Sequence, residues 1–444
     1  MFASFKSSSS SSEDATTDHP PPLPPPLCLA SSSAATSAAH HLRRLLFTAA
    51  DFISQSNVSA AQNILPILSS NSSPHGDSTE RLVHLFTKAL SVRCGLSENV
   101  ATWTTNEMTT SSSTVFTSSV CKEQFLFRTK KNNNNNSDLE SCYYLWLNQL
   151  TPFIRFSHLT ANQAILDATE TNGGLHILDL DISQGLQWPP LMQALAERSS
   201  SNPSSNTPPP SLRITGCGRD VTVLNRTGDR LTRFANSLGL QFQFHTLVVV
   251  EEDLAGLLLQ IRLLALSCVQ GETIAVNCVH FLHKIFNDEG DMISHFLSAI
   301  KSLNPRIVTM AEREANHGDP SFLNRFSEAL DHYMAIFDSL EATLPPNSRE
   351  RLTLEQRWFG KEILDVVAAE AEERKQRHRR FEVWEEMMKR HGFVNVPIGS
   401  FAFSQAKLLL RLHYPSEGYN LQFLNDSLFL GWKNRLLFSV SSWK

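Results

Sequence analysis

Between Leu42 and Leu90 apolar residues recur every three or four positions: Leu42, Leu45, Leu46, Ala49, Phe52 and Ile53; then Ala61, Ile64, Leu65 and Leu68; then Leu82, Leu85, Phe86, Ala89 and Leu90. That spacing puts one apolar stripe on each of three short amphipathic helices. Further helix is expected between Tyr143 and Ala168, where Ala161, Ala164, Ile165 and Ala168 share a face. From Gly173 the pattern changes, and short β-rich runs at Leu175 to Leu180, Leu212 to Thr215, Phe242 to Val249, Thr273 to Val279 and Arg306 to Met310 alternate with helical patterns. The helices between them carry apolar faces built by Leu231, Phe234, Ala235 and Leu238, by Leu254, Leu257, Leu258 and Ile261, and by Ile293, Phe296, Leu297 and Ile300. Strands that alternate with helices are the mark of βαβ units and a parallel sheet. The fold class is therefore α/β, a Rossmann-type doubly wound sheet with an α-helical cap subdomain. Beyond Arg306 the spacing predicts helices at Phe322 to Leu340 and Phe359 to Lys389. Strands are expected at Ala406 to His413, Ser427 to Trp432 and Leu436 to Trp443, the last two joined by a turn at Lys433-Asn-Arg435.

Polar stretches divide this pattern. Residues 1–39 combine serines from Ser7 to Ser12, prolines from Pro20 to Pro26 and Ser/Ala repeats, a composition that buries too little apolar surface to offset ordering entropy. A disordered tail is expected there. Residues 102–141, with asparagine throughout Asn132 to Asn136, read as a polar insert, and Ser199 to Pro210 as a surface loop. No run reaches the roughly 18 apolar residues of a membrane span, and the Met1 region is Ser-rich and acidic rather than basic then apolar, so neither a signal peptide nor an anchor is expected. Cys28, Cys94, Cys121, Cys142, Cys217, Cys268 and Cys278 are odd in number and lack Cys-x-x-Cys spacing, which suits reduced thiols inside the cell. A formal charge of −5 gives no support to bulk coating of nucleic acid and leaves room for a local basic face.

Candidate chemistry concentrates after the first strand, in Leu175-His-Ile-Leu-Asp-Leu-Asp-Ile-Ser-Gln-Gly185. Dinucleotide and S-adenosylmethionine sites need glycine here so that the backbone turns tightly and approaches the ligand. This chain has Asp181 and Ser183 at two of those positions and keeps only Gly185. The acidic ribose partner at the end of the second strand is displaced too, since Thr215-Gly-Cys-Gly218 runs into Arg219 before Asp220. Asp179, Asp181, Ser183 and Gly185 thus line a vestigial crevice, and no cofactor and no catalytic residue are expected. His176, His280, His283 and His317 lack the paired spacing of helical metal ligands and read as packed histidines, so no metal is expected. No nucleophile elbow, phosphate loop or protease-type cysteine context occurs, and Glu312, Glu314 and Glu341 read as a solvated face. Leu42-Arg-Arg-Leu45-Leu46 matches a Leu-x-x-Leu-Leu docking helix, a pattern common by chance for which core packing is the favoured reading. Arg374, Lys375, Arg377, Arg379 and Arg380 form a basic run placed on a helix, either a solvated face or a patch for DNA phosphates and nuclear import.

In order, these blocks resemble the plant GRAS family of transcriptional regulators. The segment Leu175, His176, Ile177, Leu178, Asp179 resembles its Val-His-Ile-Ile-Asp block. Residues 40–101 (with 142–172 completing a helical cap) and 212–270 look like its two leucine-rich regions, on either side of a block at 173–211. Residues 271–365 look like its Pro-Phe-Tyr-Arg-Glu region, and 366–444, with Gly431-Trp432 and Ser441-Ser442-Trp443, like its closing Ser-Ala-Trp region. The chain resembles the lateral suppressor branch most. The resemblance implies a methyltransferase-like core, action in the nucleus and control of axillary meristem initiation and shoot branching. It also implies transcription factors or co-regulators as partners, a homo- or heterodimer, direct or indirect contact with DNA and no membrane. Leu42, Leu45, Leu46, Leu82, Leu85 and Phe86 are the apolar ridges expected to meet partners; the alternative is a small-molecule-binding or degenerate methyltransferase-like enzyme.

Overall fold

A computed structural model describes residues 30–96, 135–169, 174–200, 211–249, 254–266, 272–286, 291–370 and 373–444. Most of the expected tail and insert lies outside them. The chain divides into a short unit, residues 1–41, and a large one, residues 42–444. Helix α1 (Ala30–Ser54) begins inside the expected tail, and α2 (Val58–Ser70) and α3 (Ser78–Arg93) complete the expected trio. The side chains of Asn57 and Asp77 cap α2 and α3 by accepting from Ala60 N at 3.2 Å and Glu80 N at 2.8 Å. The helix expected from Tyr143 to Ala168 is two helices, α4 (Asn135–Leu150) and α5 (Pro152–Ala168), because Pro152 cannot continue α4 and instead starts α5. Helix α4 also reaches back into the expected insert.

Five parallel strands follow, with helices between them: β1 (Gly174–Asp179), α6 (Trp188–Ser200), β2 (Leu212–Gly218), α7 (Val221–Ser237), β3 (Phe242–Val248), α8 (Leu254–Leu266), β4 (Glu272–Val279), the short α9 (Leu282–Ile285), α10 (Asp291–Ser302) and β5 (Ile307–Arg313). After them come α11 (Phe322–Thr343), α12 (Arg349–Thr353), a π-helical turn at Leu354–Phe359, α13 (Gly360–Ala368), α14 (Phe381–Arg390), β6 (Asn395–Val396), α15 (Ser400–His413), β7 (Tyr419–Leu424), β8 (Ser427–Trp432) and β9 (Arg435–Trp443). The strands join one sheet in the order β3-β2-β1-β4-β5-β9-β8-β7, with β9 antiparallel to β5 and β6 paired to β9. The chain reverses direction of travel between β1 and β4, which is the switch point of a doubly wound sheet.

Strand β1 is buried from Leu175 to Asp179, and its alternation sorts the two cores. Leu175 and Ile177 join the helices α1 to α3, α5 to α7, α11, α13 and α15 on one face. Leu178 and Leu180 join α8, α10 and α14 on the other.

Three expectations fail here. The run Ala406 to His413 is helical, because Ala402, Ala406 and Leu409 recur at helical spacing and bury one face; an apolar run of eight residues does not separate strand from helix. Residues Tyr419–Leu424 are a strand that the pattern did not show. The helix expected from Phe359 to Lys389 is broken after Ala368, and irregular chain leads to Phe381.

Candidate functional site

The loop after β1 is filled by its own residues. Asp179 is buried and accepts hydrogen bonds from Trp188 Nε1 at 2.8 Å and Asn277 Nδ2 at 3.0 Å. Asn277 is itself held by Gln187 and Thr309. Burial raises the Asp179 carboxyl to about 7 against the opposing pull of these two donors. Ile182 donates its N–H to Cys217 O and lays its side chain over Gly216, where a Cβ would come within 2.8 Å of it. Ser183 and Gly185 both have positive φ, and a Cβ on Gly185 would meet Thr227 at 2.8 Å. Asp181 pairs with Lys284, and Asp220 spends its carboxylate capping α7 through Thr222 N and Val223 N. The glycines that remain therefore serve packing against α7 and Ile182. The carboxylates of Asp179, Asp181 and Asp220 are each bonded within the chain.

The expected partner ridge is a second correction. Leu42, Leu46, Leu82, Leu85 and Phe86 are buried, and Leu45 is half-buried and packs on the same core. Helix α3 lies among α2, α11 and α13, and Phe86 meets Phe326 and Tyr333 edge-on at 5.4 and 6.5 Å. Arg81 locks the same helix through a two-pronged pair with Glu355, at 2.8 and 3.1 Å. An apolar stripe at heptad spacing is what any core-facing helix needs, and here the core claims it. What the first three helices leave outside is a groove of about 430 Å³ between α2 and α3, lined by Gln62, Pro66, His84, Lys88 and Leu96 among others.

The basic run also turns inward. Arg374 is buried, Arg377 donates to Phe286 O at 3.2 Å, and Arg379 donates to Asn316 at 2.8 Å with its guanidinium 4.7 Å from the Phe286 ring. Arg380 pairs with Glu328 at 2.7 Å, and the Lys375 and Gln376 amides cap the Asp365 carboxylate. These contacts take the place of a helix. Only Lys375 and Arg380 are exposed, so the run is not the basic helical face expected.

Exposed apolar side chains lie elsewhere. On α8, Leu259 and Leu263 are four residues apart and 58% and 54% exposed, while Leu257 and Ile261 hold the helix to the core. Met292 of α10, the helix packed beside α8, is partly exposed as well. Further exposed apolar side chains are Phe401, Leu408 and Leu412 on one stripe of α15 and Phe423 and Leu424 on β7, the edge strand, where Phe403 stacks on Phe423 at 5.1 Å. Contiguous exposed apolar surface on a folded chain marks an interaction site. Helix α8 offers a pair of exposed leucines one turn apart, whereas the leucines Leu42, Leu46, Leu82 and Leu85 of α1 and α3 are buried.

Glu312 and Glu314, read from sequence as solvated, are buried at the end of β5. Burial raises the Glu314 carboxyl to about 7. Around them, His283, His378, His317 and His332 sit buried with ring centroids 4.0 to 5.4 Å apart in sequence of contact. No spacing signal links these residues, because they come from four separate elements. Among the described residues Cys94, Cys142, Cys217 and Cys278 are free thiols, and no helix is long and apolar enough to cross a membrane.

Comparison with known proteins bears on this arrangement. The model of the GRAS domain family matches residues 42–444. Scarecrow-like protein 18 of Arabidopsis thaliana is 88% identical over 410 residues, which cover 90% of this chain and 91% of that protein. Protein MONOCULM 1 of Oryza sativa subsp. japonica is 38% identical over 90% of this chain and 88% of its own. The crystal structure of SCL7 in Oryza sativa superposes with a TM-score of 0.71 at 30% identity, covering 91% of this chain and 99% of that one.

Proposed function

Because the chain belongs to the GRAS domain family of plant developmental regulators, we propose that it is a nuclear regulator of transcription that works by holding partner proteins, and that it acts in axillary meristem initiation and shoot branching. The observation that carries this reading is the pair Leu259 and Leu263, exposed side by side on a helix whose other face is anchored in the core. Such a ridge fits the apolar groove of a transcription factor or co-regulator, and a few side chains of this kind dominate affinity. DNA is reached through those partners, since Arg374, Arg377 and Arg379 are committed to contacts within the chain. The resemblance to the lateral suppressor branch supports the developmental role.

The test is a binding screen against transcriptional regulators, run with the wild-type chain, a Leu259→Asp/Leu263→Asp variant and a Gln260→Asp control. Partners are expected to be kept by the wild type and the control and lost by the double variant at unchanged melting temperature. Partners retained by the folded double variant refute the reading. We assign the free edge of β7, with Phe423 and Leu424 exposed on it, to a second copy of the chain, because an unpaired strand edge is a ready template for pairing. Light scattering that shows a monomer at every concentration removes that assignment.

A further inference from the structure

His283 in α9, Glu312 in β5 and His378 in the irregular chain before α14 meet at the C-terminal ends of β4 and β5, away from the exposed leucine ridge. All three are buried, and one ligating atom from each lies within 4.8 Å of the others. Glu312 Oε2 is 2.8 Å from His283 Nδ1 and 3.9 Å from His378 Nδ1. We propose that His283, Glu312 and His378 form a binding site for a divalent metal ion of the zinc class.

The chemistry of the donors supports this. Two imidazoles with one carboxylate are a set that zinc uses, at bond lengths of about 2.0 to 2.2 Å. For tetrahedral angles those lengths require donor separations of roughly 3.3 Å, which lies between the two distances to Glu312. Two of the three donors, Glu312 and His378, are also oriented by a contact behind them, as metal ligands are. Glu312 Oε1 accepts from the Leu282 amide at 2.7 Å, which leaves Oε2 to face the imidazoles. His378 Nε2 lies 3.1 Å from Gln376 Oε1, so the proton sits there and the Nδ1 lone pair points inward, buried and without a hydrogen bond.

The neighbouring Arg313 guanidinium is paired through both nitrogens with Glu362 at 2.7 Å, which offsets its charge beside the site. The metal takes the place of the proton between His283 Nδ1 and Glu312 Oε2, and the His283 imidazole passes to the Nε2–H tautomer. A water molecule would complete the four positions, since the ligand group is His283, Glu312 and His378. The ion would fasten the chain before α14 to the end of the sheet.

The full-length chain, stripped with a chelator and titrated with Co²⁺, is expected to bind a single equivalent with the intense visible absorption of a four-coordinate site and a higher melting temperature. Zn²⁺ is expected to bleach that band. In His378→Cys a thiolate replaces the nitrogen, and a sulfur-to-cobalt band in the near ultraviolet is expected in addition; His378→Gln is expected to lose the visible band. A wild-type chain that shows no such band, or a His378→Cys chain whose spectrum matches wild type, overturns the proposal. If both variants fail to fold, the wild-type titration decides alone. Uptake by exposed histidines gives weak six-coordinate absorption and no rise in melting temperature, and that result also overturns it.

Discussion

In α1 to α3 the leucines at three-and-four spacing point into the molecule, and Leu46, Leu82 and Phe86 have no exposed surface, whereas in α8 the same spacing leaves Leu259 and Leu263 more than half exposed. The residues are of one kind. The difference lies in what surrounds each helix. Helix α3 is packed by α2, α11 and α13, so every apolar position finds a neighbour. Helix α8 rests on the sheet through Leu257 and Ile261 with α10 at its side, and carries more leucine than that contact can cover. Leucine spacing therefore predicts that a helix has an apolar face. How much of that face is left for a partner depends on how many elements enclose it.

Phe86→Ala should have the largest effect, since it removes a ring enclosed by Phe326 and Tyr333. A loss of about 3 to 5 kcal/mol is expected in urea unfolding. A midpoint equal to wild type would break the contrast between the two regions. Arg81→Met is expected to be nearly as damaging, about 3 to 5 kcal/mol, because Glu355 is left charged and buried. Adding Glu355→Leu should recover most of the loss, and a double variant no more stable than the single one would show that the pair is not what ties α3 to the π-helical turn.

Acid should act on the enclosed part of the molecule as well. Burial lowers His158 to about 3 and His176 to about 4, and holds His280 and His332 well below the ordinary value. Each of these has a folded pKa below its unfolded one, so the unfolded chain takes up the extra proton and stability falls as pH drops below about 6.5. Asp179 and Glu314, raised to about 7, act in the opposite sense, and their stabilisation is lost as pH rises from about 4 toward 7. The imidazoles are more numerous. Net destabilisation of roughly 1 to 3 kcal/mol is expected between pH 6.5 and 5.5, at about 1.4 kcal/mol per proton and pH unit. A melting temperature that rises over this interval would mean that the carboxyls dominate.

The α/β core was legible because strand and helix periods differ, and the five parallel strands stand where alternation placed them. For the loop after β1, the sequence shows Asp181 and Ser183 where a cofactor-binding backbone carries glycine. How the loop is closed does not show in sequence, because Asn277 reaches Asp179 from β4, 98 residues further along the chain. The basic run reads from sequence as a helical face, since charge shows on the page and burial does not. Its partners, Phe286, Asn316 and Glu328, lie 52 to 91 residues away. The histidine cluster is hidden for the same reason, since its members are set together only by β4, β5 and the chain before α14.

The smallest effect on stability is also the sharpest test of the contrast. Leu259→Asp with Leu263→Asp changes two side chains that already face water, so the unfolding free energy should move by no more than about 0.5 kcal/mol. Partner binding should be lost in the same protein. Loss of fold would place these leucines with Phe86, as core residues. Loss of binding with the fold intact separates the two leucine-rich regions by function, the first closing the core and the second facing a partner.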